Sequence, residues 1–178
     1  MYHAKRSGRD NAQLYSASLT QVILQRMELD SSLRVALERN QFELVYQPQI
    51  DVATGRVRSV EALIRWNHPV RGLVSPLEFI ALAEENGLIH SIGMRVLRIA
   101  CADAARWHAQ GLALTVAVNL SPLQFNSQDL PQQVIEVLAE TGLPPAYLEL
   151  EVTEGAFMEN TKATQAALQA LHARGLRI

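Results

Sequence analysis

The sequence predicts an α/β protein with a largely parallel sheet, arranged as a barrel of repeated strand–helix units. Three observations carry that expectation. Short β-rich runs alternate with longer stretches of helical periodicity, the pattern of successive strand–helix–strand units. One run, Leu112 to Asn119, is almost continuously apolar, as expected of a parallel strand buried on both faces. No glycine-rich phosphate loop of the dinucleotide or P-loop kind is present, so the open nucleotide-binding sheets have no local support.

Each element has its own justification. Residues 1–16 are polar and basic, with Lys5, Arg6 and Arg9 around Ser7-Gly8, and read as a tail or linker. From Leu19 to about Arg39 the residues Leu19, Val22, Ile23, Met27, Asp30, Leu33 and Leu37 recur at three- and four-residue steps. That spacing predicts an amphipathic connector helix whose apolar stripe must dock, ending at Asn40. Phe42 to Gln47 reads as a strand stopped by Pro48, and Thr54-Gly55 as the turn into a second strand, Arg56 to Trp66. Asn67-His68-Pro69 and Arg71-Gly72 make a loop. Ser75-Pro76 opens a helix, with serine as cap and proline in the first turn, and Asn86-Gly87 closes it. A longer helix runs from about His90 to Ala109. After the apolar strand come a helix from Asp129 to Glu140, a strand from Tyr147 to Thr153 and a helix from about Asn160 to Ala173. A further strand is expected to begin at Leu176-Arg177-Ile178.

Composition narrows the function classes. The 178 residues are 48% hydrophobic and 19% charged, with a formal net charge of −2. That balance excludes a basic nucleic-acid sheath, an acidic disordered tail and a disulfide scaffold. It gives no support for a nucleic-acid polymer or a membrane surface as partner. No apolar run approaches the ~20 residues needed to cross a bilayer, and the first residues lack the apolar core of a signal peptide. The single cysteine, Cys101, cannot form an internal disulfide and lies among Ile99, Ala100 and Ala104, so it reads as packed. A reducing, cytoplasmic location is the expectation.

The polar residues that could carry chemistry cluster at strand ends, where parallel barrels build their active sites. In the second strand Glu61, Leu63 and Arg65 share one face, and Ala62, Ile64 and Trp66 the other. Glu61 and Arg65 sit ~13 Å apart along an extended strand, too far to pair, but could reach two parts of one charged ligand. They could equally be two ions satisfied separately inside the barrel. Asn119 closes the apolar strand, as a ligand or as a turn residue. Glu149, Glu151 and Thr153 share a face of the next strand, with Glu154 at its end. Acids in a buried strand are costly unless paired or bound to metal. An acid, an amide and another acid from three successive strand ends suit Mg²⁺ or Mn²⁺ rather than zinc. The five histidines have no metal-motif spacing.

From Gln41 to Ile178 these motifs together resemble the EAL domain family. The strings are Tyr46-Gln47-Pro48, then Glu61-Ala62-Leu63-Ile64-Arg65-Trp66 with His68-Pro69. Pro76 with Phe79-Ile80, Ala83-Glu84 and Gly87-Leu88-Ile89 follow, then Val118-Asn119-Leu120-Ser121 and Glu151-Val152-Thr153-Glu154. The resemblance implies a (β/α)₈ TIM-barrel-like fold and hydrolysis of the bacterial second messenger cyclic di-GMP to linear pGpG. It implies Glu61, Asn119 and Glu151 as ligands of a two-metal Mg²⁺ or Mn²⁺ site, with Glu61 and Glu151 catalytic. It further implies Gln47, Leu63 and Arg65 as substrate-binding, Glu154 as support for a mobile active-site loop, and a homodimeric parent protein.

Residues 1–16 resemble the end of a GGDEF domain, the cyclase family that makes the same messenger, which makes residues 17–40 a connector. Residues 41–178, 138 in all, fall short of the ~250 of a full barrel, so about the first half of the domain is expected. The family's later aspartate pair, lysine and glutamate would lie beyond Ile178, and the isolated chain is expected to be inactive. The alternative is a non-catalytic cyclic di-GMP receptor or scaffold.

Overall fold

The computed structural model describes residues 17–127, 129–152 and 162–178. The expectations for residues 1–16 and for Thr153 and Glu154 lie outside the described residues.

Helix α1 spans Ala17–Glu38. Asn40 ends it in the left-handed region at φ 55°, a conformation asparagine tolerates, and Gln41 donates its N–H to the Ala36 carbonyl at 3.0 Å. The buried stripe differs from the expected one. Leu29, Leu33 and Ala36 are buried, whereas Ile23 is 46% and Met27 64% exposed. The physical reason is twofold: α1 packs on the helix Pro76–Glu85 only from about Arg26 onward, where Arg26 pairs with Glu85 and Asn86 donates to Asp30 at 2.5 Å, and the docked face is that of Leu29, Leu33 and Ala36, which leaves Met27 on the far side of the helix.

Strands β1 (Phe42–Asp51) and β2 (Arg56–His68) form an antiparallel hairpin with Pro48 opposite Val60. Proline therefore does not stop the first strand. β1 is the edge of the sheet, where a missing N–H breaks no ladder bond. A three-residue strand β3 (Gly72–Val74) pairs with the end of β2 and is too short to leave a period in the sequence. His68 shapes the turn between them, its Nδ1 accepting the N–H groups of Val70 and Arg71 at 3.1 Å each.

The rest follows the strand–helix alternation. Helices α2 (Pro76–Glu85) and α3 (Ile89–Ala109) lead to β4 (Thr115–Leu120), which pairs in parallel with β2. Helix α4 (Leu130–Thr141) leads to β5 (Leu148–Val152), parallel to β4, and α5 spans Lys162–Ala173. Arg177 then bridges in parallel to Glu149, the start of the next strand position. Pro76 occupies the first turn of α2 as expected, but the Ser75 side chain makes no capping hydrogen bond. The sheet order is β1-β2-β4-β5, with β3 also on β2: a mixed sheet in which β1 and β3 run antiparallel to β2 and the β2–β4–β5 pairings are parallel.

Strand alternation divides the sheet into two faces. Val60, Ala62, Trp66, Val116, Val118, Leu148 and Leu150 are buried in one apolar core with α3. Trp66 anchors this face, with ring centroids 5.8 Å from Phe42 and 5.5 Å from Phe79 and its indole N–H donated to Gln41 Oε1 at 3.1 Å. Tyr46 does the same for β1, donating its hydroxyl to Asp103 Oδ2 at 2.6 Å and meeting Trp107 edge-on. Burial first, then the Asp103 carboxylate, hold that phenol well above its ordinary value. With one face pinned in this way, Gln47, Gln49, Ser59, Glu61, Leu63, Arg65, Ala117, Asn119, Glu149 and Glu151 share the other.

Candidate functional site

The strand register brings the second face's polar groups together. Gln47 on β1 lies opposite Glu61 on β2, Glu61 is level with Ala117 on β4, and Asn119 is level with Glu151 on β5. Asn119 Nδ2 donates to Glu61 Oε1 at 2.7 Å, so the middle of β2 and the end of β4 are joined by a charge-assisted bond. Glu151 Oε1 accepts Gln49 Nε2 at 3.5 Å, and Gln49 Oε1 in turn accepts the Ser59 hydroxyl at 2.6 Å. The Glu151 carboxyl is raised above the usual carboxylate range, by desolvation first and then by the negative charge of Glu61. The Gln49 donor opposes that rise, and Glu149 adds to it. No lysine or arginine forms an ion pair with Glu61 or Glu151 among the described residues.

Beyond Ala62 and Val118 the paired register of β2 and β4 ends. A crevice of about 290 Å³ lies where β2 and β4 face α2 and α3, lined by Leu63, Arg65, Ile80, Ile92, Val96 and Asn119 among others, with neither Glu61 nor Glu151 in its wall. Arg65 donates to the carbonyl of Ile64 at 2.9 Å, so its guanidinium is turned along its own strand. The chain leaving β4 is locked by Ser121, which caps a short 3₁₀ helix (Pro122–Asn126). The Ser121 N–H is donated to Gln124 Oε1 at 3.1 Å, and its hydroxyl to Glu84 Oε1 on α2 at 2.7 Å. Gln124 is buried against Gly93 on α3, where a Cβ would stand 2.1 Å from Gln124 Nε2. A wider depression of about 640 Å³, lined by His90, Arg98 and Glu136 among others, shares no residue with this site.

Of the residues singled out in the sequence, Glu61, Asn119 and Glu151 are gathered on neighbouring strands, with Gln47 in register beside Glu61; Asn119 and Glu151 lie near their strand ends as expected, whereas Glu61 is midway along β2, which continues to His68. Leu63 and Arg65 line the crevice. Glu154 lies outside the described residues. The donor set is two carboxylates and an amide, all oxygen, which fits Mg²⁺ or Mn²⁺ and not zinc. Among the described residues no cluster of three or more histidine, cysteine, aspartate or glutamate side chains gathers at one point.

Three residues of the surroundings escape a motif reading, Gln49, Ser59 and Gln124, while Glu84 and Ser121 stand in the motif strings without an assigned role. Gln49 shares a strand face with Gln47 and is visible once β1 is carried through Pro48. Ser121 and Gln124 form a Ser-x-x-Gln capping box, a local signature in its own right.

The EAL domain family model matches residues 30–178. A relative described as an uncharacterized signaling protein of Caulobacter vibrioides is 45% identical over all of this chain and 22% of its own length. The cyclic di-GMP phosphodiesterase NbdA of Pseudomonas aeruginosa is 40% identical over all of this chain and 23% of its own length. The chain thus spans less than a quarter of either relative. Among solved structures, the PaMucR phosphodiesterase in complex with c-di-GMP superposes with a TM-score of 0.80 at 43% identity, covering 84% of this chain and 61% of that one.

Proposed function

The chain belongs to the EAL domain family, and from that premise we propose that it forms part of a phosphodiesterase that hydrolyses cyclic di-GMP to linear pGpG. The observation that carries the reading is the convergence of Glu61, Asn119 and Glu151 from three adjacent strands, with the charge of Glu61 adding to the cost of ionising Glu151. Such an arrangement is stabilised by a cation between them. Glu61, Asn119 and Glu151 would hold Mg²⁺ or Mn²⁺. When bound, the ion supplies Lewis-acid charge that favours attack of water on phosphorus and departure of the ribose 3′ oxygen.

The chain's own residues supply the remainder. Arg65, on the same strand face as Glu61 and lining the crevice, contacts a phosphate once it swings off the Ile64 carbonyl. Leu63 offers an apolar wall to a base, and Gln47 hydrogen-bonds the ligand beside Glu61. The Glu84–Ser121–Gln124 bonds keep the end of β4, and with it Asn119, in place. Helix α1 serves as the connector into the domain. Three protein oxygens are few for a two-ion site, since each ion takes about six ligands. We therefore expect the 178-residue chain alone to bind ions weakly and to turn over no cyclic di-GMP.

Calorimetric titration of cyclic di-GMP into the chain in Ca²⁺ buffer, beside Arg65→Ala, tests the reading. Saturable binding weakened tenfold or more by the substitution, the loss of about one charge-assisted phosphate contact, supports it. Equal binding by both proteins, or none to the parent chain at millimolar ligand, overturns it.

A further inference from the structure

We propose that Gln49 is a positioning residue for the cation site, holding Glu151 with one oxygen engaged and the other free for the ion. The inference rests on the reading of Glu61, Asn119 and Glu151 as cation ligands and adds a residue to it. Three observations lead there. Gln49 lies on the edge strand β1 and Glu151 on β5, at opposite ends of the sheet order, yet Gln49 Nε2 reaches Glu151 Oε1 at 3.5 Å. The amide's orientation is fixed by the Ser59 hydroxyl, which donates to Gln49 Oε1 at 2.6 Å. With the oxygen so engaged, the NH₂ end faces the carboxylate. The regular β1–β2 register is also broken directly after Gln49, between Gln49 and Ile50, and such irregularities re-aim side chains next to functional sites.

The chemistry is that of an outer support to a metal-binding carboxylate. Glu151 faces the charge of Glu61 and of Glu149, and both repel it from the position a cation needs. A neutral donor that touches only Oε1 restrains the carboxylate without competing for the cation, because an NH₂ group cannot ligate one. Supports of this kind, once removed, weaken metal affinity by about 10–100-fold. Ser59 acts one step further out and accounts for a smaller share, because the amide remains when its hydroxyl is removed.

The test is Mn²⁺ binding to the intact chain, read by the loss of the free-ion electron paramagnetic resonance signal from micromolar into millimolar Mn²⁺. It compares the parent with Gln49→Leu, Ser59→Ala and Glu61→Ala, each checked by its melting temperature without metal. Gln49→Leu weakening Mn²⁺ about tenfold or more, with Ser59→Ala weakening it by a smaller factor, is the expected result. Gln49→Leu binding Mn²⁺ like the parent while Glu61→Ala loses it overturns the role of Gln49 and leaves the cation site standing. Glu61→Ala binding Mn²⁺ like the parent removes the site itself, and the inference with it. If Gln49→Leu fails to fold, Ser59→Ala decides: unchanged Mn²⁺ affinity counts against the proposal and weakened affinity for it.

Discussion

Asn119 donates its side-chain amide to the Glu61 carboxylate at 2.7 Å, joining two parallel strands through residues 58 apart in the chain. The bond orients both groups, because the Nδ2 atom is committed to Glu61 and the amide oxygen is left on the side away from it. Replacing Asn119 with leucine removes that oxygen while keeping the side chain's bulk. We expect Asn119→Leu to weaken Mn²⁺ binding tenfold or more and to leave the melting temperature nearly unchanged, since residue 119 is exposed. A variant that melts much lower while binding Mn²⁺ normally would assign Asn119 to the fold alone.

Glu151 should lower the stability of the metal-free protein. Its carboxyl is raised by desolvation and by Glu61, so folding disfavours its ionised form. The unfavourable contribution is absent below the unfolded carboxylate value, about pH 4, and grows as pH rises through the folded value. Glu151→Gln, of equal length and uncharged, is expected to melt a few degrees higher than the parent at pH 7 without metal. The difference should vanish towards pH 4, and Mn²⁺ binding should be lost. A lower melting temperature for Glu151→Gln at pH 7 would show that the carboxylate is paired with a positive charge in the folded chain.

Gly93 is required by contact rather than by conformation. A methyl group there meets Gln124 at 2.1 Å from Nε2 and 2.7 Å from Cδ, and Gln124 is only 2% exposed and bonded to the Ser121 N–H. Overpacking costs about 1–3 kcal/mol, against a helix-propensity gain of about 1 kcal/mol for alanine over glycine, so Gly93→Ala is expected to be net destabilising. In a Gln124→Ala background the clash is absent and the same substitution should be neutral or stabilising. Urea denaturation of the four proteins of this cycle measures the coupling, and additive effects would refute the contact.

Much of this was legible in the chain. The alternation of Glu61, Leu63 and Arg65 with Ala62, Ile64 and Trp66 sorts the two faces of β2 correctly, because a strand's period of two needs no tertiary knowledge. The parallel β4 showed itself as a continuous apolar run. Other features depend on context. Pro48 breaks a strand only where its missing N–H is needed, and nothing local says that β1 lies at an edge. The stripe of α1 is periodic along its length, but the face that docks is that of Leu29, Leu33 and Ala36, so Ile23 and Met27, expected inside, are exposed. Gln49 reaches Glu151 through the curl of the sheet, across 102 residues of chain, a contact no local pattern encodes.

Cys101 offers a test of the core that is independent of the site. The thiol is fully buried, and desolvation pushes it up to about 12 from an ordinary 9.0. It should resist alkylation in the native protein at pH 8 and react promptly in denaturant. An acid kept protonated by folding contributes stability below its unfolded value and loses it as pH rises towards the folded one. Between pH 9 and 10 the parent should therefore lose stability faster than Cys101→Ala, by up to about 1.4 kcal/mol per pH unit. Equal slopes, or rapid native alkylation, would place the thiol in contact with water.

The central claim, that Glu61, Asn119 and Glu151 form a divalent-cation site that serves cyclic di-GMP, is tested most directly by the linkage between the two ligands. Cyclic di-GMP is titrated into the parent chain and Glu61→Ala, each with and without Ca²⁺. The account predicts that Ca²⁺ tightens cyclic di-GMP binding to the parent about tenfold or more, the scale of a typical coupling between two ligands, and leaves Glu61→Ala unaffected. Cyclic di-GMP affinity indifferent to Ca²⁺ in the parent, or equally enhanced in Glu61→Ala, would contradict it.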